Sequence, residues 1–228
     1  MNQSRKARMR FFEGQGWHAL ALVILLVGAY FLSVRIPGLL DGQLWGIPTG
    51  VWYWLAIAVP VVHQVYVVLV WRAELTSGWV TRHFPDQGYR IWKASFMIFL
   101  AARPVVITLL AIANRDTFSL PPGVRWGLVA VMAVPVAWLG YSVERYFGVD
   151  RAVGADHFDA SYRDKPLVKK GIYKYSSNAM YLYGFLALWI PAIAFVSQAA
   201  LVAALFSHLY IWVHYTCTEQ PDMEWLYG

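Results

Sequence analysis

The residues with chemistry to offer gather in two stretches. The first covers 149–177 and holds Asp150, Asp156, His157, Asp159 and Asp164 among a run of basic residues. It passes into Gly171-Ile172-Tyr173-Lys174-Tyr175-Ser176-Ser177-Asn178-Ala179-Met180-Tyr181, dense in aromatic and hydrogen-bonding side chains. The second is His214-Tyr215-Thr216-Cys217-Thr218-Glu219-Gln220-Pro221-Asp222-Met223-Glu224-Trp225, with three carboxylates and a histidine. Carboxylate and imidazole groups can hold or move a proton, and amide and phenol groups can orient a polar ligand. A long charged loop among short turns is more often functional than its neighbours. The plainer readings are an interfacial aromatic belt for the first stretch and a solvated helix start for the second.

The elements that must position these groups are membrane helices. A soluble domain carries roughly a quarter charged residues. Here charged residues are 14%, hydrophobic residues are 59% and the mean hydropathy is +0.46. About 20 apolar residues cross the hydrocarbon core as a helix, and six segments qualify: 17–34, 51–71, 94–113, 123–143, 180–196 and 199–213. Only Ser197 and Gln198 separate the last two, which predicts a helical hairpin. The expected fold is all-α, a polytopic membrane protein with about six transmembrane helices. The sequence holds no Ser/Gly/Pro-rich linker and no internal repeat, so 1–228 reads as a single integral membrane domain.

Loop charge sets an expected orientation. Arg5, Lys6, Arg8 and Arg10 precede the first span, and Arg72, Arg82, Arg90 and Lys93 follow the second. Arg145, Arg151, Arg163, Lys165, Lys169, Lys170 and Lys174 follow the fourth, whereas the alternate loops hold only Arg35, Arg115 and Arg125. That alternation is what an even number of spans with both termini in the cytoplasm requires. It also accounts for the net charge of +6 through topology and anionic lipid, so nucleic acid is not an expected partner. The basic start resembles the charged region of a signal peptide. Segment 17–34 is too long for a signal core and lacks a small-residue cleavage site, so it reads as a retained span. The single cysteine, Cys217, excludes an intramolecular disulfide and a Cys-rich zinc site, and its expected role is that of a small apolar filler. No metal is expected.

Polar residues inside the second and third spans need an account. His63 and Gln64 lie in the second, where a helix–helix hydrogen bond is the favoured reading for His63. Arg103 lies in the third beside Pro104, as a functional group, a snorkelling side chain, or a donor to carbonyls freed at the proline kink.

The hairpin returns 214–225 beside 178–181, so the two polar stretches should meet at one membrane face. Gly171-x-Tyr173-x-Tyr175-x-x-Asn178-Ala179-Met180-Tyr181-Leu182, followed by Glu219-Gln220-Pro221, resembles the integral-membrane methyltransferases. The isoprenylcysteine carboxyl methyltransferase branch carries Arg-His-Pro and then Glu-Glu. The phospholipid N-methyltransferase branch carries Asn-Pro-Met-Tyr and then Glu-Glu-Pro, to which Asn-Ala-Met-Tyr and Glu-Gln-Pro are closer. Trp138-Leu139-Gly140 and Tyr146-Phe147-Gly148 are more loosely similar to the same branch. The resemblance covers 136–228 and makes that part the expected catalytic core, with 1–135 as N-terminal spans.

The resemblance implies S-adenosylmethionine bound at the cytoplasmic face, with Gly140, Tyr173, Asn178, Met180, Tyr181, Glu219 and Gln220 as its residues. It implies methyl transfer to a membrane lipid, an ethanolamine headgroup such as that of phosphatidylethanolamine. Glu219 is then the first candidate base and His157 the second. Tyr183, Trp212, Tyr215 and Trp225 offer aromatic faces to the substrate. Two departures bear on this: Ser177-Asn178-Ala179 replaces Arg-His-Pro, and Gln220 replaces a glutamate. A prenylated cysteine, a small thiol or another amphiphile remains an alternative acceptor. A sterol-reductase-like protein with a similar C-terminal hairpin, or a non-catalytic scaffold, is the alternative of another class. The sequence leaves the oligomeric state open.

Overall fold

A backbone facing lipid must satisfy its own N–H and C=O groups, and the helix does so within one segment. In the computed structural model, which describes residues 10–166 and 168–227, α1 spans Gln15–Arg35. A two-stranded antiparallel hairpin, β1 (Gln43–Leu44) and β2 (Ile47–Pro48), then leads into α2 (Thr49–Ser77). A short α3 (Trp79–His83) turns the chain into α4 (Gly88–Ala113). α5 (Pro122–Ser142) follows, then α6 (Val149–Ala152) in the charged loop. The hairpin is α7 (Leu186–Ala194) and α8 (Gln198–His214), and α9 (Gln220–Tyr227) ends the described chain.

Among the described residues five helices are long and apolar enough to cross a membrane, and Met180–Ala194 forms a shorter apolar segment. Five of the six expected spans are thus found, two of them with clearly longer ends, whereas the expected span 180–196 is a shorter apolar segment that ends at Ala194. α2 runs past Arg72 to Ser77, and α4 begins six residues before the expected 94. Arg5, Lys6 and Arg8 lie outside the described residues.

α8 occupies the middle of the bundle. Its face of Ala199, Ala200, Ala203 and Ala204 is fully buried, and such small side chains let neighbouring helices approach closely. Tyr53, Ile57, Ile107 and Leu110 of α2 and α4 pack into the same core. The tight turn between α7 and α8 is held from outside. Asn114 Oδ1 accepts from Ser197 Oγ and the Ala199 amide, both at 2.9 Å, and its amide nitrogen donates to the Asp41 carbonyl at 3.0 Å. One buried side chain thereby satisfies groups that the three-residue turn Phe195–Ser197 leaves open.

Three wide turns of π type interrupt the helical pattern: Val143–Phe147, Met180–Gly184 and Tyr215–Glu219. Each widens the helix by one residue, a feature that recurs at functional sites. Two of them carry candidate site residues.

Candidate active site

Gly171 explains the start of the first motif. It has φ +60°, and a Cβ there would lie 2.5 Å from Ser142 Oγ and 2.9 Å from Tyr146 Cδ2. The left-handed conformation and the contact both require glycine. Ser142 Oγ accepts from the Ile172 amide at 3.0 Å and donates to the Trp138 carbonyl at 2.8 Å, which seats the motif on α5. Ile172, Tyr173 and Ala179 then bury themselves against Leu139, and Tyr173 stacks on Phe147 at 4.8 Å. Ala179 is fully buried there. Asn178 turns the chain into the Met180–Gly184 turn, where its carbonyl accepts from the amides of Tyr181 and Leu182.

That turn presents Tyr181 to the Tyr215–Glu219 turn. The Tyr181 hydroxyl donates a short hydrogen bond to Glu219 Oε2. Around it the Tyr181 ring lies 5.8 Å from Trp212 and 5.4 Å from Tyr215. The two motif segments therefore meet, as the hairpin predicts, at the Glu219 carboxylate, which is bound by a Tyr181 whose ring packs beside Trp212 and Tyr215.

Behind Glu219 stands a buried ionic network that the sequence did not reveal. Arg72 Nε lies 2.6 Å from Asp222 Oδ1, and both side chains are essentially inaccessible. The other Asp222 oxygen is 3.7 Å from His157 Nε2, and His157 Nδ1 is 3.0 Å from Asp156 Oδ1. The Tyr227 hydroxyl donates to Asp156 Oδ2 at 2.8 Å. Trp71 stacks on the His157 ring at 4.0 Å. Gly154 makes that stack possible, since a Cβ there would fall 2.5 Å from Trp71 Cζ2. With His157 protonated, two cations face two carboxylates and the cluster is neutral. Burial works against the imidazolium, yet the hydrogen bonds and charges of Asp156 and Asp222 outweigh it and raise His157 above its ordinary value. Burial likewise works to raise Asp156, but His157 and Tyr227 prevail and hold its carboxyl below the usual range.

α1 and α2 grip the same turn from the other side. Gln15 Nε2 donates to the Cys217 carbonyl at 3.3 Å and to Thr218 Oγ1 at 3.2 Å. Arg72 Nη2 donates to the Thr218 carbonyl at 3.4 Å, and Arg72 Nη1 donates a short bond to the Arg10 carbonyl. His18 Nε2 pairs with the Tyr210 hydroxyl at 3.0 Å.

The sequence-derived candidates therefore divide. Tyr181, Glu219, Trp212 and Tyr215 converge. Tyr173, Met180 and Tyr183 pack instead against Leu139 as part of the seat on α5. Gly140 lies on an exposed face of α5 with open space beside it. Gln220 is exposed and bonds Glu224 at 3.4 Å, while Trp225 stacks under the Arg10 guanidinium at 4.6 Å. His157 has both ring nitrogens facing carboxylates. Three expectations are corrected. Asp222 is not at a solvated helix start but fully buried with Arg72. His63 makes no helix–helix hydrogen bond among the described residues and packs on Phe96 and Phe99. Arg103 is buried, and among the described residues its Nε and Nη2 have no hydrogen-bond partner, so neither bonds a carbonyl freed at the Pro104 kink. Arg72 and Asp222 were missed because one reads as a loop-boundary charge and the other as part of an acidic helix start. No spacing or motif links the two, and only the fold brings the pair together.

No curated protein and no solved structure matches the chain. Residues 126–228 match the family model of phospholipid methyltransferase. That stretch begins in α5 and carries both turns of the Tyr181–Glu219 site, and over it the chain is similar to the phospholipid methyltransferases.

Proposed function

We propose that this chain transfers a methyl group from S-adenosylmethionine to the amine of a lipid headgroup such as phosphatidylethanolamine, at the membrane face that the basic loops mark as cytoplasmic. The observation that carries the reading is the Tyr181–Glu219 hydrogen bond within the Trp212 and Tyr215 wall. This donor set suits a cationic cofactor and a cationic product alike, because sulfonium and methylated ammonium groups are both drawn to aromatic faces and to carboxylate. Tyr181, Asn178 and Glu219 would hold the cofactor, which when bound supplies a methyl group on a positively charged sulfur.

The residues of the chain do the remaining work. Trp212, Tyr215 and Tyr181 exclude water and orient the acceptor, and alignment of the reacting atoms supplies much of the acceleration in a displacement of this type. The acceptor amine must be neutral to offer its lone pair, and a low-dielectric wall favours the neutral form. Glu219 takes the proton that the ammonium gives up, with the Tyr181 hydroxyl fixing its carboxylate. His157, engaged on both sides, acts through Asp222 on the position of α9.

The test is to follow methyl-labelled S-adenosylmethionine with the purified full chain and native lipid extract. Label moving with phospholipid, and lost in Glu219→Ala, is the expected result. Label on protein or in a small volatile product would overturn the acceptor. Neither transfer nor cofactor binding would overturn the methyltransferase reading.

A further inference from the structure

Arg103 sits in the interior of α4 and is 4% exposed. No described residue accepts a hydrogen bond from its Nε or Nη2, and no described carboxylate lies within ion-pair distance of it. Such a cation in an apolar bundle is held at a high cost unless something pairs with it. Its neighbourhood is also short of partners. His63 of α2 is 2% exposed with both ring nitrogens unpartnered, and its ring lies 5.4 Å from that of Phe99, one helical turn before Arg103.

The place of Arg103 relative to the candidate active site is fixed by Phe185. The guanidinium lies 5.7 Å over the Phe185 ring, and Phe185 follows Tyr181 by one helical turn. The unmet donors thus lie about one turn deeper in the bundle than the Tyr181–Glu219 pair.

We infer that Arg103, with His63 beside it, receives an oxyanion that reaches into the bundle from the Tyr181–Glu219 site. A guanidinium with unused forked donors recognises phosphate or carboxylate oxygens in two-point fashion, and a neutral imidazole adds one more donor. On the proposed function, on which only the source of the oxyanion rests, two groups qualify. One is the phosphodiester beside the acceptor amine of a phospholipid. The other is the carboxylate of S-adenosylmethionine.

Binding separates these without any methyl transfer. The full chain in dodecyl maltoside is titrated with dodecyl phosphate and, separately, with S-adenosylhomocysteine, for wild type, Arg103→Gln and Arg103→Lys. The expected result is binding of dodecyl phosphate that weakens at least tenfold in Arg103→Gln and is largely kept in Arg103→Lys. A tenfold loss confined to S-adenosylhomocysteine would support the site and assign it to the cofactor carboxylate. Unchanged binding of both probes in a folded Arg103→Gln protein would overturn the inference. If that variant does not fold, wild type decides: dodecyl phosphate should raise its Tm more than dodecanol does, and equal shifts would overturn the inference. A wild type that binds dodecyl phosphate through Arg103 but transfers no methyl group would leave this site standing and remove the proposed function.

Discussion

Glu219 and Tyr181 are 38 positions apart and meet through a single hydrogen bond. Glu219→Gln keeps the shape and removes the proton acceptor, so methyl transfer should fall by about 10²–10⁴-fold with the protein still folded. Tyr181→Phe keeps the ring wall and removes the hydroxyl, so it should cost less than Glu219→Gln. Single-turnover rates in detergent check both, and equal rates for Glu219→Gln and wild type would remove Glu219 from the chemistry. Asp222 behaves differently, because its loss strands a buried cation. Asp222→Ala should destabilise the protein by about 3–5 kcal/mol. Replacing both partners, Arg72→Met with Asp222→Leu, should recover most of that loss, as unfolding midpoints will show. At this scale the sequence is half legible. Tyr181 and Glu219 stand in motifs, whereas Arg72 and Asp222 lie far apart in the chain with no pattern to link them.

At the scale of elements, the apolar segments announce the helices because lipid leaves a spanning backbone few alternatives. The charged loop is harder to read. Its composition suggests an exposed connection, yet Asp156 and His157 are buried in it beneath Trp71. Local composition does not say which side of a loop will be covered by a neighbouring helix. The consequence is a pH dependence. The folded state raises His157, so it holds the proton more tightly than the unfolded chain does. The stabilisation is full below about pH 6.5 and is lost as pH rises through the folded-state value. Thermal unfolding should therefore show wild type losing stability on that rise. His157→Gln should be less stable at low pH and should show a flatter profile over the same rise. Parallel profiles for the two proteins would show that His157 carries no such proton.

Across the whole molecule, the segment that matches the methyltransferase family leans on helices outside it. Lys93 pairs with Asp150 at 2.6 Å and Trp92 donates to the Val153 carbonyl at 2.8 Å, both across from α4 to the charged loop. Arg72 and Gln15 hold the Glu219 turn from α2 and α1. The half-exposed lysine pair contributes little, but the buried contacts do not. Residues 126–228 expressed alone would leave Asp222 without Arg72 and His157 without the Trp71 ring. That fragment should fail to give a monodisperse species in detergent unless 1–125 is supplied as a second chain. The wide turn Tyr215–Glu219 has a further consequence. It makes the aim of Glu219 a matter of counting: one residue removed from the turn shifts the phase of everything after it by about 100° around the axis. Deletion of the exposed Thr216 changes no group in the site, yet it should swing both Glu219 and Asp222 away from their partners. Helix content measured by circular dichroism should survive while methyl transfer and the Arg72 contact are lost. On this view the extra residue works as a spacer in the reading frame of the helix, tolerant of substitution and intolerant of a change in length.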